Sequence, residues 1–121
     1  MAVKLAQAIA REEGFGPVQN LPTRANNPGD LTGADAGSFP TLGIMNAEGV
    51  IHFARVEDGW TRLYVKTTRM LYGPWETYQP TDTLLQAGVK YSGGNLNWGP
   101  NVANFLGVSP GITLKELGEL S

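Results

Sequence analysis

The chain has 121 residues, 41% of them hydrophobic and 17% charged, with a formal net charge of −2. This is the composition of an ordinary folded domain able to bury a core without staples, and its scattered Lys and Arg weigh against a dedicated nucleic-acid binder. The absence of cysteine and the single histidine, His52, rule out a disulfide framework, a thiolate nucleophile and a His-rich metal site; His52, read as a strand residue, supports no Ser-His-Asp triad, and no cofactor is expected.

In chain order, Leu5, Ala6, Ile9 and Ala10 recur at helical spacing and predict a first helix over Val3 to Glu13, stopped by Gly14, Gly16 and Pro17. The segment from 14 to 43 is turn-rich, with Pro22, Asn26-Asn27-Pro28-Gly29 and Gly33, and is too long for an idle connector. A hairpin follows: Leu42 to Asn46, an Ala-Glu-Gly turn, then Val50 to Ala54, with His52 half-exposed on its strand. A second helix fits Glu57 to Tyr72, with Trp60, Leu63, Tyr64, Thr67 and Leu71 on its buried face. Thr83 to Tyr91 gives a third, Gly99 to Leu106 a fourth with Val102, Phe105 and Leu106 inward, and Leu114 to Leu120 the last. Thr113 and Glu116 form a capping box at its start. The fold class expected is α+β, mainly α, as one domain over residues 1–121 with a small hairpin near its N-terminal third.

No apolar run reaches the length of a membrane span, so no membrane insertion is expected. The N-terminal MAVKLAQAIAREEG passes from a short apolar region straight into charges, unlike a signal peptide. Any extracytoplasmic substrate would be reached by another delivery route, or as one domain of a larger chain.

Helical spacing of roughly 100° per residue places Glu13 about 30° from the centre of the first helix's apolar face and Glu12 about 70° away. The negative end of the helix dipole and partial burial both favour a protonated carboxyl there. That is the form a general acid needs in glycoside cleavage. The alternative is a helix end carrying two solvated acids.

The stretches AIAREEGF and RANNPGDL, in this order, resemble the start of a group of phage and bacterial lysozyme-like, peptidoglycan-degrading proteins. In that group a helix ends in Glu-Gly-aromatic and an Asn-Asn-Pro-Gly turn follows within about twenty residues. VEDGWTRLYV resembles the segment where an acidic-Gly turn leads into a long helix. DTLLQAGVKYSGGNLNWGPNVANFLGVSPGITL is similar to the closing segment. The likeness is discontinuous but covers most of the chain.

The resemblance implies a lysozyme-like fold and assigns the catalytic acid to Glu13, directly before Gly14, rather than to Glu12. It implies that Asn26, Asn27 and Pro28-Gly29 form a turn at the cleft's edge, with sugar contact open beside a purely structural role. Asn side chains bond their own backbone, and Pro-Gly fits a type II turn. Phage lysozymes sharing Glu-Gly carry an Asp about nine residues later as the second carboxylate of hydrolysis. Here GPVQNLP holds no acid. Asp30 and Asp35 are the nearest downstream, and Asp30 stands where related sequences often carry Asn.

A lytic transglycosylase needs one glutamate only, first as acid and then as base. Both outcomes, anhydro-ring formation and hydrolysis, stay open. KYSGGNLNW resembles the Tyr-Asn-Ala-Gly loop of bacterial transglycosylases, with Ser92 and Gly93 in place of Asn and Ala. Tyr91 is then expected to support the catalytic carboxyl, and Asn95 or Asn97 to meet N-acetyl groups. Trp75, Tyr78 and Trp98 are candidates for flat faces under sugar rings, or for core packing; Trp60 reads as core. Ser38 and Ser92 lack a partner base.

The function implied is cleavage of the β-1,4 bond between N-acetylmuramic acid and N-acetylglucosamine in peptidoglycan. The expected protein is a monomeric, phage-encoded lysis or virion-associated enzyme acting on bacterial cell-wall glycan strands. The alternative is a non-catalytic glycan-binding or phage structural module on the same fold.

Overall fold

The computed structural model describes residues 1–16, 20–32, 43–45, 49–75 and 77–120. Pro17, Gly33, Asp35, Ser38, Leu42 and the Ala47-Glu48 part of the expected hairpin turn lie outside them. The described chain is mainly helical. Helix α1 spans Ala2–Glu12 and the single-turn α2 Leu21–Arg24. Strands β1 (Gly43–Met45) and β2 (Ile51–Phe53) follow, then α3 (Val56–Tyr72), α4 (Leu84–Ser92), α5 (Trp98–Leu106) and α6 (Leu114–Gly118).

These residues form two compact units, one made of Met1–Ala8 and Thr67–Ser121, the other of Ile9–Lys66. In the second unit, β1 and β2 pair antiparallel with Gly43 opposite Phe53, Ile44 opposite His52 and Met45 opposite Ile51. This is the expected hairpin. Ile51 and Phe53 are buried while His52 between them is half-exposed, as the period of two requires. The next residue back, Val50, bridges Thr32, and Ile51 N–H donates to Leu31 O at 3.0 Å. The hairpin is thereby tied to the segment that follows the Asn-Asn-Pro-Gly turn. Ile9, Ala10, Ala25, Leu31, Val50 and Leu63 supply the remaining apolar interior.

In the first unit, Leu5, Met70, Leu84, Ala87, Trp98, Val102, Leu114 and Leu117 are buried. Helices α4 and α5 approach at two glycines. A Cβ on Gly88 would lie 2.7 Å from Gly99 N, and one on Gly99 would lie 2.6 Å from Leu84 O. The N-termini of α4 and α6 carry matching capping boxes, Thr83 with Gln86 and Thr113 with Glu116. The two capping threonines face each other in an antiparallel bridge, with Leu84 N–H donating to Ile112 O and Leu114 N–H to Asp82 O. Each helix start therefore braces the other.

One expectation about packing fails here. Phe105, expected inward, is 40% exposed. The buried residues of α5 are Trp98, Gly99, Val102 and Ala103, and Phe105 lies about 90° around the helix from the centre of that stripe. The expected helix over Glu57 to Tyr72 is observed as α3 from Val56, so Gly59, in the stretch that resembles an acidic-Gly turn, sits inside its first turns.

Candidate functional site

Glu13 closes α1. Its N–H donates to Ile9 O at 2.9 Å, and the chain then reverses at Gly14, whose φ is +76°. Gly14 N–H donates to Arg11 O at 3.1 Å and Phe15 N–H to Ala10 O at 3.0 Å. This is the Schellman pattern, which satisfies the last helical carbonyls and calls for a residue without Cβ at the left-handed step. The Glu-Gly pair thus has a local physical cause. Gly14 stops the helix and leaves Glu13 half-buried at its tip, with Glu12 half-buried beside it.

The chain after the reversal is tied back by two side chains that the sequence reading passed over. Asn20 Nδ2 donates to Gly14 O at 2.6 Å. Asn20 Oδ1 accepts from Thr23 N–H at 3.2 Å and from Thr23 Oγ1 at 2.9 Å, which caps α2. Gly16 N–H donates to Thr23 Oγ1 at 3.1 Å. The signal was present as Asn-Leu-Pro-Thr: an Asn before a first turn containing Pro is a helix-start pattern.

Phe15, immediately after the reversal, meets Trp60 edge to face, with ring centroids 5.7 Å apart and planes at 83°. Trp60 in turn stacks on Tyr64 at 5.7 Å and 29°. Trp60 and Tyr64 stand one turn apart on α3, so helical spacing aligns them. All three rings are half-buried, so Trp60 is not the fully enclosed core residue expected.

The Asn-Asn-Pro-Gly turn is built differently from the expected type II. Asn27 O accepts from Asp30 N–H at 3.1 Å. The left-handed residues, however, are Asn26 (φ 52°) and Asp30 (φ 50°), not Gly29. Asn and Asp tolerate this region better than most side chains. Asn27 is fully buried. Its Nδ2 donates to Leu31 O at 2.9 Å and Ile51 O at 2.8 Å, and its Oδ1 accepts from Leu31 N–H at 2.8 Å. Asn26 Nδ2 donates to Phe53 O at 3.0 Å, while Phe53 N–H donates to Ala25 O at 2.9 Å. Both asparagines therefore fasten the turn to β2, and Asn27 has no surface for a sugar. Asp30 is half-buried, and that burial pushes its carboxyl above the ordinary 3.8.

Glu13, Asn26, Asn27 and Asp30 all fall in the unit Ile9–Lys66. Tyr78, Tyr91, Asn95, Asn97 and Trp98 fall in the other. There Tyr91, half-buried, stacks on Trp98 at 4.9 Å and 28°. Trp98 is only 1% exposed, and a Cβ on Gly88 would stand 2.9 Å from its ring. The expected sugar-facing role of Trp98 is therefore corrected to core packing between α4 and α5. Asn95 and Asn97 are exposed. Asn95 N–H donates to Ser92 Oγ at 2.8 Å, and Asn97 N–H to Asn95 Oδ1 at 2.9 Å.

Tyr78 is half-buried in a segment held by Lys90, whose Nζ donates to Thr77 O at 2.9 Å and to Asp82 Oδ2 at 2.6 Å. Trp75 is 41% exposed. Among the described residues no group of three or more His, Cys, Asp or Glu is placed to hold a metal ion. Comparison with protein-family models, with curated proteins and with solved structures found no match to this chain.

Proposed function

We propose that the protein is a lysozyme-like glycosidase of peptidoglycan in which Glu13 is the general acid. The observation that carries this reading is the placement of Glu13. It is half-buried at the tip of α1, held by a Schellman reversal, and two residues from an aromatic ladder. The order of elements supports it too, with a helix ending in glutamate, a small hairpin, a long helix and then shorter helices.

In the reaction proposed, the Glu13 carboxyl protonates the bridging oxygen between N-acetylmuramic acid and N-acetylglucosamine, and the bond from C1 to that oxygen breaks. The C6 hydroxyl of the muramic residue then closes on C1 and gives its proton to the Glu13 carboxylate, which restores the acid. This route needs no second carboxylate. A water attacking in place of the C6 hydroxyl gives hydrolysis, with Asp30, the nearest acid downstream in the sequence, as the candidate to assist it. The sequence likeness to phage lysis and virion proteins supports the bacterial wall as the place of action.

Incubation of purified peptidoglycan sacculi with the protein tests the reading. Release of soluble muropeptides is expected. Wall binding without release would instead mark a non-catalytic glycan-binding module.

A further inference from the structure

We infer that Tyr72 and Trp75 form a glycan-contact site of their own, a pair of fixed aromatic rings for the sugar chain; the inference rests on the reading above that the protein works on wall glycan. Each ring is seated on a glycine. The position a Cβ would take on Gly73 lies 3.1 Å from Trp75 Cδ2 and from Trp75 Cε3, and the φ of +80° at Gly73 disfavours any side chain there. The position of a Cβ on Gly118 lies 2.9 Å from Tyr72 Cε1, and the Tyr72 hydroxyl donates to Gly118 O at 2.9 Å. Both rings are thus held from one side by backbone, yet Tyr72 is 50% and Trp75 41% exposed.

The seat of Tyr72 has a buried counterpart in the same unit. Thr-Leu-x-Gln-x-Gly at 83–88 and Thr-Leu-x-Glu-x-Gly at 113–118 are two copies of one pattern. Gly88 in α4 and Gly118 in α6 each follow their capping threonine by five residues. In the first copy the glycine admits the ring of Trp98, which is 1% exposed. In the second it admits the ring of Tyr72 and leaves that ring half in water. An aromatic residue contributes to folding through the area it removes from water, so the same seat serves stability at Gly88 far more than at Gly118.

The surroundings point to the occupant. Arg69 stands three residues before Tyr72 on α3, and Lys115 three before Gly118 on α6; both are exposed, and this spacing puts each cation on the side of its helix where the ring lies. Of the acids on α6, Glu116 is engaged with the Thr113 N–H and hydroxyl. Glu119, exposed, lies about 100° round from Gly118. Flat apolar rings beside cations match a sugar with apolar C–H faces and carboxylate substituents, which is the chemistry of N-acetylmuramic acid in the wall. Rings already fixed lose little conformational freedom when such a chain settles on them. Tyr72 and Trp75 bind and take no part in the reaction at Glu13.

The test is a titration of the full chain carrying Glu13→Gln with soluble peptidoglycan glycan strands, followed through the indole N–H signals of Trp60, Trp75 and Trp98. The Trp75 signal should shift and the Trp98 signal stay, the latter serving as a check on folding in each variant. Trp75→Ala and Tyr72→Ala should each weaken binding by about threefold to tenfold. Raising salt to about 0.5 M should weaken it further by screening the cations. A stationary Trp75 signal at saturation, or wild-type affinity in both variants, overturns the site and leaves the glycosidase reading to be judged by muropeptide release. A Trp75 signal that moves with protein concentration in the absence of glycan marks a face covered by a second copy, and overturns the site as well. Strand binding through Trp75, with no muropeptide released by the wild-type protein, keeps the site and removes the glycosidase reading.

Discussion

Gly59, inside the first turns of α3, lies directly against the backbone carbonyl of Asn26. A Cβ at Gly59 would overlap that oxygen and stand 2.9 Å from Pro28 Cδ. In an exposed helix interior, glycine to alanine gains about 1 kcal/mol from helix propensity. Here the obstacle is backbone, which has no rotamer to escape into. Gly59→Ala should therefore destabilise the protein by about 1–3 kcal/mol, the range of core overpacking. A lower urea midpoint with an unchanged m-value checks this; a higher midpoint would mean that the turn does not pack on the helix.

Much of this region was legible in the sequence, for reasons that can be named. Gly14 ends α1 because a residue free of Cβ is needed for the reversal, and local sequence carries that information. The hairpin was legible from the alternation of Ile51, His52 and Phe53. The capping box at Thr113 was legible because its two partners are three residues apart. What escaped was the information carried by distant neighbours. Nothing within α3 shows that Asn26 comes to rest on Gly59, and nothing within α5 shows that α4 covers Trp98 and leaves Phe105 exposed. The geometry of the Asn-Asn-Pro-Gly turn escaped for a related reason. Asn27 is committed to Leu31 and Ile51, and those bonds place the left-handed residues at Asn26 and Asp30 instead of Gly29.

Asn27→Ala should be more damaging than a typical surface change. It takes away the acceptor of the buried Leu31 N–H and the donor shared by Leu31 O and Ile51 O. A cost of about 2–4 kcal/mol follows from leaving buried polar groups unmatched. Chemical denaturation measures it. A cost under about 0.5 kcal/mol, typical of an unconstrained surface site, would contradict the assigned network.

Asp30 carries a pH signature. Burial raises its folded-state pKa above the ordinary 3.8, so between the unfolded and folded values the folded protein holds more proton. Stability on this account falls as pH rises through that window and stays lower above it. Asp30→Asn removes the charge and suits the left-handed backbone at φ 50°. The variant should be more stable than wild type at neutral pH, and the gain should shrink below about pH 4. Thermal melts across pH 3 to about 7 decide the sign. In the one-acid mechanism its glycan cleavage stays within about threefold of wild type.

Thr113→Ala should lose about 0.5–2 kcal/mol, the usual worth of an N-cap. Hydrogen bonds from the Thr113 backbone and hydroxyl hold the Glu116 carboxyl below its ordinary 4.5. The part of the box that depends on ionised Glu116 is present above that value and fades as pH falls through the lowered one. The penalty of the substitution, read from melting temperatures, should therefore be larger at neutral pH than in acid.

The assignment of the proton donor is tested most directly by mass spectrometry of muropeptides released from purified peptidoglycan by wild type, Glu13→Gln and Glu12→Gln. Release by wild type and Glu12→Gln, as 1,6-anhydro or reducing muramic ends, and its loss by at least about a thousandfold in Glu13→Gln is the predicted result. Release by Glu13→Gln at the wild-type level would contradict it, and so would an absence of product from the wild-type protein itself.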